Sequence, residues 1–273
     1  MARQRGAALL LVMWLILLLS GLVAGYAMSA RIESMQGNGL ARSVVASEAA
    51  RAGVDYAAWR LLHPDPAQRW VPDGRSYQLE FDGAHIEISA RDETGKVDLN
   101  TAAPDLLTGL LKTQGEPEGS ARRIAGAIAD WRDEDSLVQV AGGAEDPDYA
   151  AAGLAWGAKD ALFETAAELE QVLGMRPALF NSLAPYLTVH TALPIPDATF
   201  ADAVVLQAMG VERAQPIGTS QPVTGSGTYS IHSRARLANG RRAHLSVILR
   251  VGGNGLTGSS YTPLRWQDGA NTP

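Results

Sequence analysis

The chain has 273 residues, enough for one large or two small globular units, and its 23 basic against 29 acidic side chains leave a net charge of −6. An acidic balance argues against phosphate-backbone binding as the main activity. Without cysteine an exported fold must rest on its core or on a metal, and no repeat of fixed period marks a solenoid or fibre.

Arg3 and Arg5 stand before Gly6, and Ala7 to Ala30 then runs 24 residues with Tyr26 as its one ionisable side chain. As a helix it would measure about 36 Å, enough to cross a bilayer with some tilt. The arginines would stay cytoplasmic and the remaining chain would face the other side. Three readings fit. One is a cleaved signal peptide, with small residues near Ala27 and Ala30. Another is a plain membrane anchor. The third is a short leader, residues 1–6, closing on Gly6; it resembles a type IV prepilin leader, which is cut after the glycine and leaves the apolar helix on the mature chain.

After Arg31 the pattern still predicts helix. Val44, Val45, Glu48, Ala49, Ala52, Tyr56 and Trp59 recur at steps of three and four, Gly37 and Gly39 weaken it, and His63-Pro64-Asp65-Pro66 ends it near residue 61. Tyr77–Phe81 and Ala84–Ala90 alternate as strands around an Asp82-Gly83 turn. From Asp98 to about Leu193 the pattern is helical. Asn100-Thr101 can cap a helix carrying Leu106, Leu107, Leu110 and Leu111, and Ser120 opens another with Ile124, Ile128 and Trp131. Thr165 to Glu168 spells a capping box, Gly174 is a stop, and Pro177 opens a helix that ends before Pro185. Strands return at Tyr229–Leu237 and Leu245–Val251 around Asn239-Gly240. Tyr261–Trp266 follows as an edge strand after a Gly252–Ser260 loop. Each strand set is too short to stand alone. The chain is therefore expected to form one sheet split by a helical insertion, rather than three small units.

Carboxylates crowd one region: Asp130, Asp133, Glu134, Asp135, then Glu145, Asp146 and Asp148, around a loop with Gly142-Gly143. Converging carboxylates repel unless a cation neutralises them, and calcium accepts irregular oxygen cages. Zinc lacks its ligands here, since there is no cysteine and no nearby histidine. The spacing is not an EF-hand, and a solvated acidic loop is the competing reading. For catalysis there is little. His63, His85, His190, His232 and His244 are scattered, and no nucleophile elbow or phosphate loop occurs, so no enzyme activity is expected. Val97–Ala103 and Ala167–Met175 resemble pieces of helix-hairpin-helix DNA-binding modules. The second offers one arginine beside Glu168 and Glu170, which favours protein packing.

In order and spacing, these segments resemble the K-type minor pseudopilins of bacterial type II secretion (general secretion pathway protein K). The resemblance rests on the leader ending Arg5-Gly6-Ala7-Ala8, on Asp92–Pro104, on Ala129–Asp135, on Gly143–Tyr149, on Phe163–Tyr186 and on the closing strands Tyr229–Arg250 and Tyr261–Trp266. It implies an α+β, pilin-like fold: an assembly helix over 7–61, sheet over 62–97 and 196–273, and an all-helical insertion over 98–195. It also implies calcium in the insertion, with Asp130, Asp133, Asp135, Glu145, Asp146 and Asp148 at the matching acidic positions. The implied setting is a single-pass inner-membrane protein with its domain in the periplasm, a leader processed by prepilin peptidase with methylation, and I- and J-type minor pseudopilins as partners. Exported substrates are a further partner class, and nucleic acid is not. Most pilins carry glutamate at mature position five to neutralise a neighbour's N-terminal amine. Counting from Ala7 that position is Leu11, which suits a topmost subunit with none above it. Ala7 departs from the usual phenylalanine, and Thr199–Met209 matches the family poorly. The rivals are a DNA-binding minor pilin of a type IV pilus or uptake system, and a secreted enzyme behind an ordinary signal peptide.

Overall fold

The computed structural model describes residues 5–140, 142–211, 225–252 and 261–269; within the first helix, the side chains of residues 5–8, 30 and 32–42 fall outside that description. Residues 1–4 of the expected leader and residues 253–260 of the expected loop lie outside the described residues.

One helix, α1, runs from Arg5 to Leu61. Its apolar part, Leu9–Ser29, is wholly exposed and long enough to cross a membrane. The later part packs on a sheet through Ala46, Ala49, Ala50, Val54, Ala57, Ala58 and Leu61. Alanine dominates this face because the helix lies close to the strands. Gly53 marks the closest approach, where even a Cβ would meet Ser233 and Ile86. The helix gives out where the sequence predicted, ahead of His63-Pro64, since proline disfavours the helical conformation of the residue before it.

The sheet has five antiparallel strands in the order β1 (Asp73–Phe81), β2 (Ala84–Asp92), β5 (Thr228–Leu237), β6 (Arg242–Val251) and β7 (Tyr261–Gly269). Asp82 and Gly83 both take positive φ (47° and 73°), the geometry that matches a two-residue turn to the strand twist. On β2, Ala84, Ile86, Ile88 and Ala90 are buried, and on β5 and β6 the inward set is Ile231, Ala235, Leu245, Val247 and Leu249. Alternation thus assigns one face of every central strand to α1, and each fully buried aliphatic side chain contributes about 1.5–3 kcal/mol.

The early strands pair with the late ones, as the split-sheet reading requires: β2 lies against β5, with Asp92 opposite Tyr229. The described residues between them form a second unit with its own core. It contains β3 (Val97–Asp98), α2 (Pro104–Thr113), α3 (Glu118–Arg132), α4 (Asp146–Ala151), α5 (Pro177–Leu183), β4 (Leu187–Thr188) and α6 (Ala203–Ala208). Leu107, Leu110, Leu111, Ile124, Ile128, Trp131, Tyr149, Leu169 and Leu183 fill that core. The whole is α+β: a long N-terminal helix, an antiparallel sheet and further helices.

The insertion is larger than 98–195. It begins with a 3-10 turn at Glu93–Gly95 and includes α6, whose Val205 joins the insertion core and whose Ala208 carbonyl abuts Gly109 of α2. Residues 199–209, expected with the sheet, pack with the head, because Val204 and Val205 join its apolar core and α6 lies against α2. Two helix starts also differ. α2 opens at Pro104 and α3 at Glu118 after Pro117, so proline rather than Asn100-Thr101 or Ser120 sets each start.

Asn100 is used differently. Its side chain accepts from Phe163 N (2.7 Å) and donates to Phe163 O (3.0 Å), clasping a distant segment. Asp98, fully buried, ties the first strand of the insertion to the segment after β4. Its Oδ2 accepts from Thr191 N, Thr191 Oγ1 and Ala192 N, each at 2.9 Å, beside the parallel β3–β4 pair. Nearby, buried Glu93 takes Lys96 Nζ and Thr188 Oγ1 at 2.5 Å, and Lys96 also reaches Ser230 of β5.

Candidate cation site and assembly helix

α3 ends at Arg132, held by Leu99 O and Ala102 O, and from there the chain turns back along its own helix. Glycine permits the return. Gly126 of α3 has no room for a Cβ against the Gly142 carbonyl, and a Cβ on Gly143 would lie 2.0 Å from Asp130 Oδ2. The loop therefore lies directly on the helix, and Asp130 accepts from Gln139 N (3.2 Å) and Ala144 N (2.7 Å).

This folding brings Asp130, Asp133 and Glu145 into one electrostatic neighbourhood. Asp130 and Glu145 are buried, the latter 4 % exposed. Burial pushes Glu145 up to about 7, and the charges of Asp130, Asp160, Asp133 and Asp146 push the same way. Burial likewise raises Asp130, with Asp133 adding repulsion, and raises Asp133, with Asp135 and Asp160 adding theirs. Tyr149, at the floor of this region, rises to about 12 through burial, its oxygen accepting from Leu173 N.

Asp133 Oδ1 and Glu145 Oε1 are buried without a hydrogen-bond partner. A buried carboxylate oxygen with nothing to accept costs roughly 1–3 kcal/mol, more when charged, and mutual repulsion adds to that cost. Oxygen atoms of this kind fit a hard divalent cation, which takes carboxylate and carbonyl ligands in irregular loops. Among the described residues, no three histidine, aspartate or glutamate side chains already stand as a metal-holding group.

The other expected ligands divide. Asp146 Oδ1 accepts from Ala158 N, and Gly157 lets that backbone approach. Asp148 turns back to its own helix start, accepting from Glu145 N at 3.0 Å. Asp135 caps Leu137 N at an exposed position and reaches the group only by its charge. Asp160 is the residue the sequence reading missed. It sits at a positive φ of 54°, and its charge raises both Asp133 and Glu145. The one signal for it was a non-glycine residue at a tight turn after Gly157, legible only once the turn is folded.

The residues expected to serve processing and assembly lie elsewhere. Gly6 and Ala7 belong to the first turns of α1. Leu11 is 72 % exposed on the apolar helix, with Leu10, Trp14 and Leu15 also exposed around it. A leucine there leaves this stretch uncharged from Leu9 to Ser29.

Residues 87–192 match the family model for type II secretion system protein K. The chain is 31% identical over 128 residues to type II secretion system protein K of Pectobacterium carotovorum subsp. carotovorum, covering 42% of this chain and 38% of that protein. It is 28% identical over 208 residues to the protein K of Klebsiella pneumoniae, covering 68% and 62%. The chain thus spans less than two thirds of the length of each of these curated relatives. In fold it is similar to a chain of the GspK-GspI-GspJ complex from the enterotoxigenic Escherichia coli type 2 secretion system: TM-score 0.62, 19% identity, 88% of this chain and 100% of that one. By sequence across the matched residues and by fold over most of its length, the chain is similar to type II secretion system protein K.

Proposed function

We propose that this protein is a minor pseudopilin of type II secretion, an assembly protein rather than an enzyme. The observation that carries the reading is α1: one helix, exposed and apolar at its start and packed on a pilin-like sheet at its end. The leader is cut after Gly6 by prepilin peptidase, the new N-terminus is methylated at Ala7, and the apolar half stays in the inner membrane with the folded part in the periplasm. There α1 packs beside the helices of I- and J-type minor pseudopilins.

Leu11 supports a place at the top of the fibre. A buried N-terminal amine needs a carboxylate, and a subunit with leucine at mature position five offers none to a neighbour above. The inserted head agrees, because it would obstruct stacking from below but can cap an end, where it meets exported substrates or the outer-membrane channel. In this reading the head binds calcium. Asp130, Asp133, Glu145 and Asp160 would hold the ion, and it would supply the positive charge that lets these carboxylates coexist ionised. Nucleic acid is not a partner, since residues 93–211 carry 18 acidic against seven basic side chains.

N-terminal sequencing of the mature protein tests the proposal. A start at Ala7 supports it; a start near Met28 or Arg31 overturns it in favour of a secreted protein. Salt-resistant binding to duplex DNA would instead favour a DNA-uptake pilin.

A further inference from the structure

The strands that return from the head carry an unusual charge. Residues 225–269 hold six arginines and one carboxylate, Asp268. Four of the six, Arg234, Arg236, Arg241 and Arg242, are exposed and line one shallow groove of about 960 Å³ that reaches Ser43 of α1. Among the described residues, Arg234 alone of the four has a carboxylate within 4 Å, Glu87 at 3.8 Å, and Arg241 donates to Ser43 Oγ of α1 at 2.7 Å. Glu80, opposite His85 on β1, is paired with that histidine.

The bond to Ser43 fixes this groove relative to the apolar span. Ser43 lies 14 residues beyond Ser29 along one unbroken helix, a rise of about 21 Å. Headgroups extend about 5–7 Å beyond the hydrocarbon on each side, and an arginine reaches roughly as far again. The remaining gap is about one Debye length at physiological salt, and ordinary helix tilt lowers the sheet further. The opposite end of the sheet, where Asp92 and Thr228 lead into and out of the head, carries the acidic unit. The arginine groove therefore lies towards the membrane and the strongly acidic head away from it.

We propose that the groove around Arg234, Arg236, Arg241 and Arg242 docks on anionic phospholipid headgroups of the membrane that holds α1, orienting the head away from the surface before assembly. This rests on reading Leu9–Ser29 as a membrane span. Headgroup phosphates are the favoured occupant because the tether delivers the arginines to that surface at a fixed height, and because juxtamembrane arginines are attracted to anionic leaflets.

The chain has no cysteine, so Ala238→Cys in the exposed β5–β6 turn accepts a single donor fluorophore, read against headgroup-labelled acceptor lipid in vesicles carrying the full chain. Energy transfer is expected to rise at least about twofold when about 30 mol % phosphatidylglycerol replaces phosphatidylcholine, and to fall back near 1 M salt. Arg234→Gln/Arg236→Gln/Arg241→Gln/Arg242→Gln should lose the rise. Arg236→Gln/Arg242→Gln, which spares the Ser43 bond, should lose about half of it, and Arg122→Gln/Arg123→Gln in the head should keep it. Equal transfer from both lipids, or a rise that survives the fourfold substitution, overturns the docking and leaves the groove to an acidic protein. Vesicle flotation separates the two readings: a chain that fails to float overturns the anchor, whereas one that floats without the lipid effect overturns only the docking.

Discussion

Gly53 of α1 stands so close to Ser233 of β5 that a Cβ on the glycine would lie 2.3 Å from Ser233 Oγ and 2.9 Å from Ile86 Cγ2. The helix and sheet therefore meet at a glycine that helix propensity alone would disfavour by about 1 kcal/mol. Gly53→Ala should still destabilise, by about 1 kcal/mol net, because overpacking costs more than propensity returns; Gly53→Leu should cost above ~3 kcal/mol. Ser233 Oγ is buried without a partner, so Ser233→Ala alone should be neutral or stabilising and should soften Gly53→Ala. Urea denaturation of the four chains checks this; additive effects would contradict it.

Glu145 makes stability fall as pH rises. Its folded pKa, about 7, lies above the ordinary 4.5, so between those values the folded state holds more protons than the unfolded chain. The stabilisation is full at pH below about 4.5, declines through the interval and is gone above 7, a change of up to roughly 3 kcal/mol. In chelator, the melting temperature should drop between pH 5 and 8 as far as this group controls it, and Glu145→Gln should flatten that slope and raise the value at pH 8. Calcium should reverse the trend, because it binds the ionised carboxylates. A chelated wild type as stable at pH 8 as at pH 5 would falsify the assignment.

Gly126→Ala separates the loop from the core. The added methyl group would collide with Gly142 O at 1.5 Å, displacing the segment that satisfies Asp130. Calcium affinity, read by titration calorimetry, should fall by tenfold or more, about 1.4 kcal/mol. An unchanged affinity would mean that the loop is not what gathers the ligands.

Removing Asp98 strips the acceptor from three backbone N–H groups and a hydroxyl at once. Asp98→Ala should cost about 2–4 kcal/mol, and hydrogen exchange should quicken at Thr191 and Ala192 before it does in β5. Asp98→Asn should recover part of the loss. Uniform exchange across head and sheet would contradict a clasp within the head at this residue.

Much of this was legible in residue order. Strand alternation in β2, β5 and β6, the Asp82-Gly83 turn and the Thr165–Glu168 cap, with Thr165 N on Glu168 Oε1 at 2.8 Å, all form as their spacing predicts. These are local signals, set within a few residues. What escaped is set by distant partners. α6 is six residues long, with no periodicity of its own until α2 covers it. Asn100 looks like a helix cap until Phe163 arrives from 63 residues away. Asp160 joins the acidic group only because the segment after Gly157 folds back beside Asp146. Among the carboxylates, sequence crowding could not tell Asp148, committed to its own helix, from Glu145, which has an oxygen to spare.

The head departs from the sheet after Asp92 and returns one residue before Tyr229, and those two residues are neighbours across β2 and β5. Its two ends are thus only about 5 Å apart, the separation an ordinary hairpin turn spans. The scaffold beneath is topologically complete without it, so a head can be gained, lost or exchanged for another folded unit in one genetic step. The seam at Asp92 and Tyr229 makes the head a cassette, free to diversify while the helix and sheet that carry it stay under the constraints of assembly.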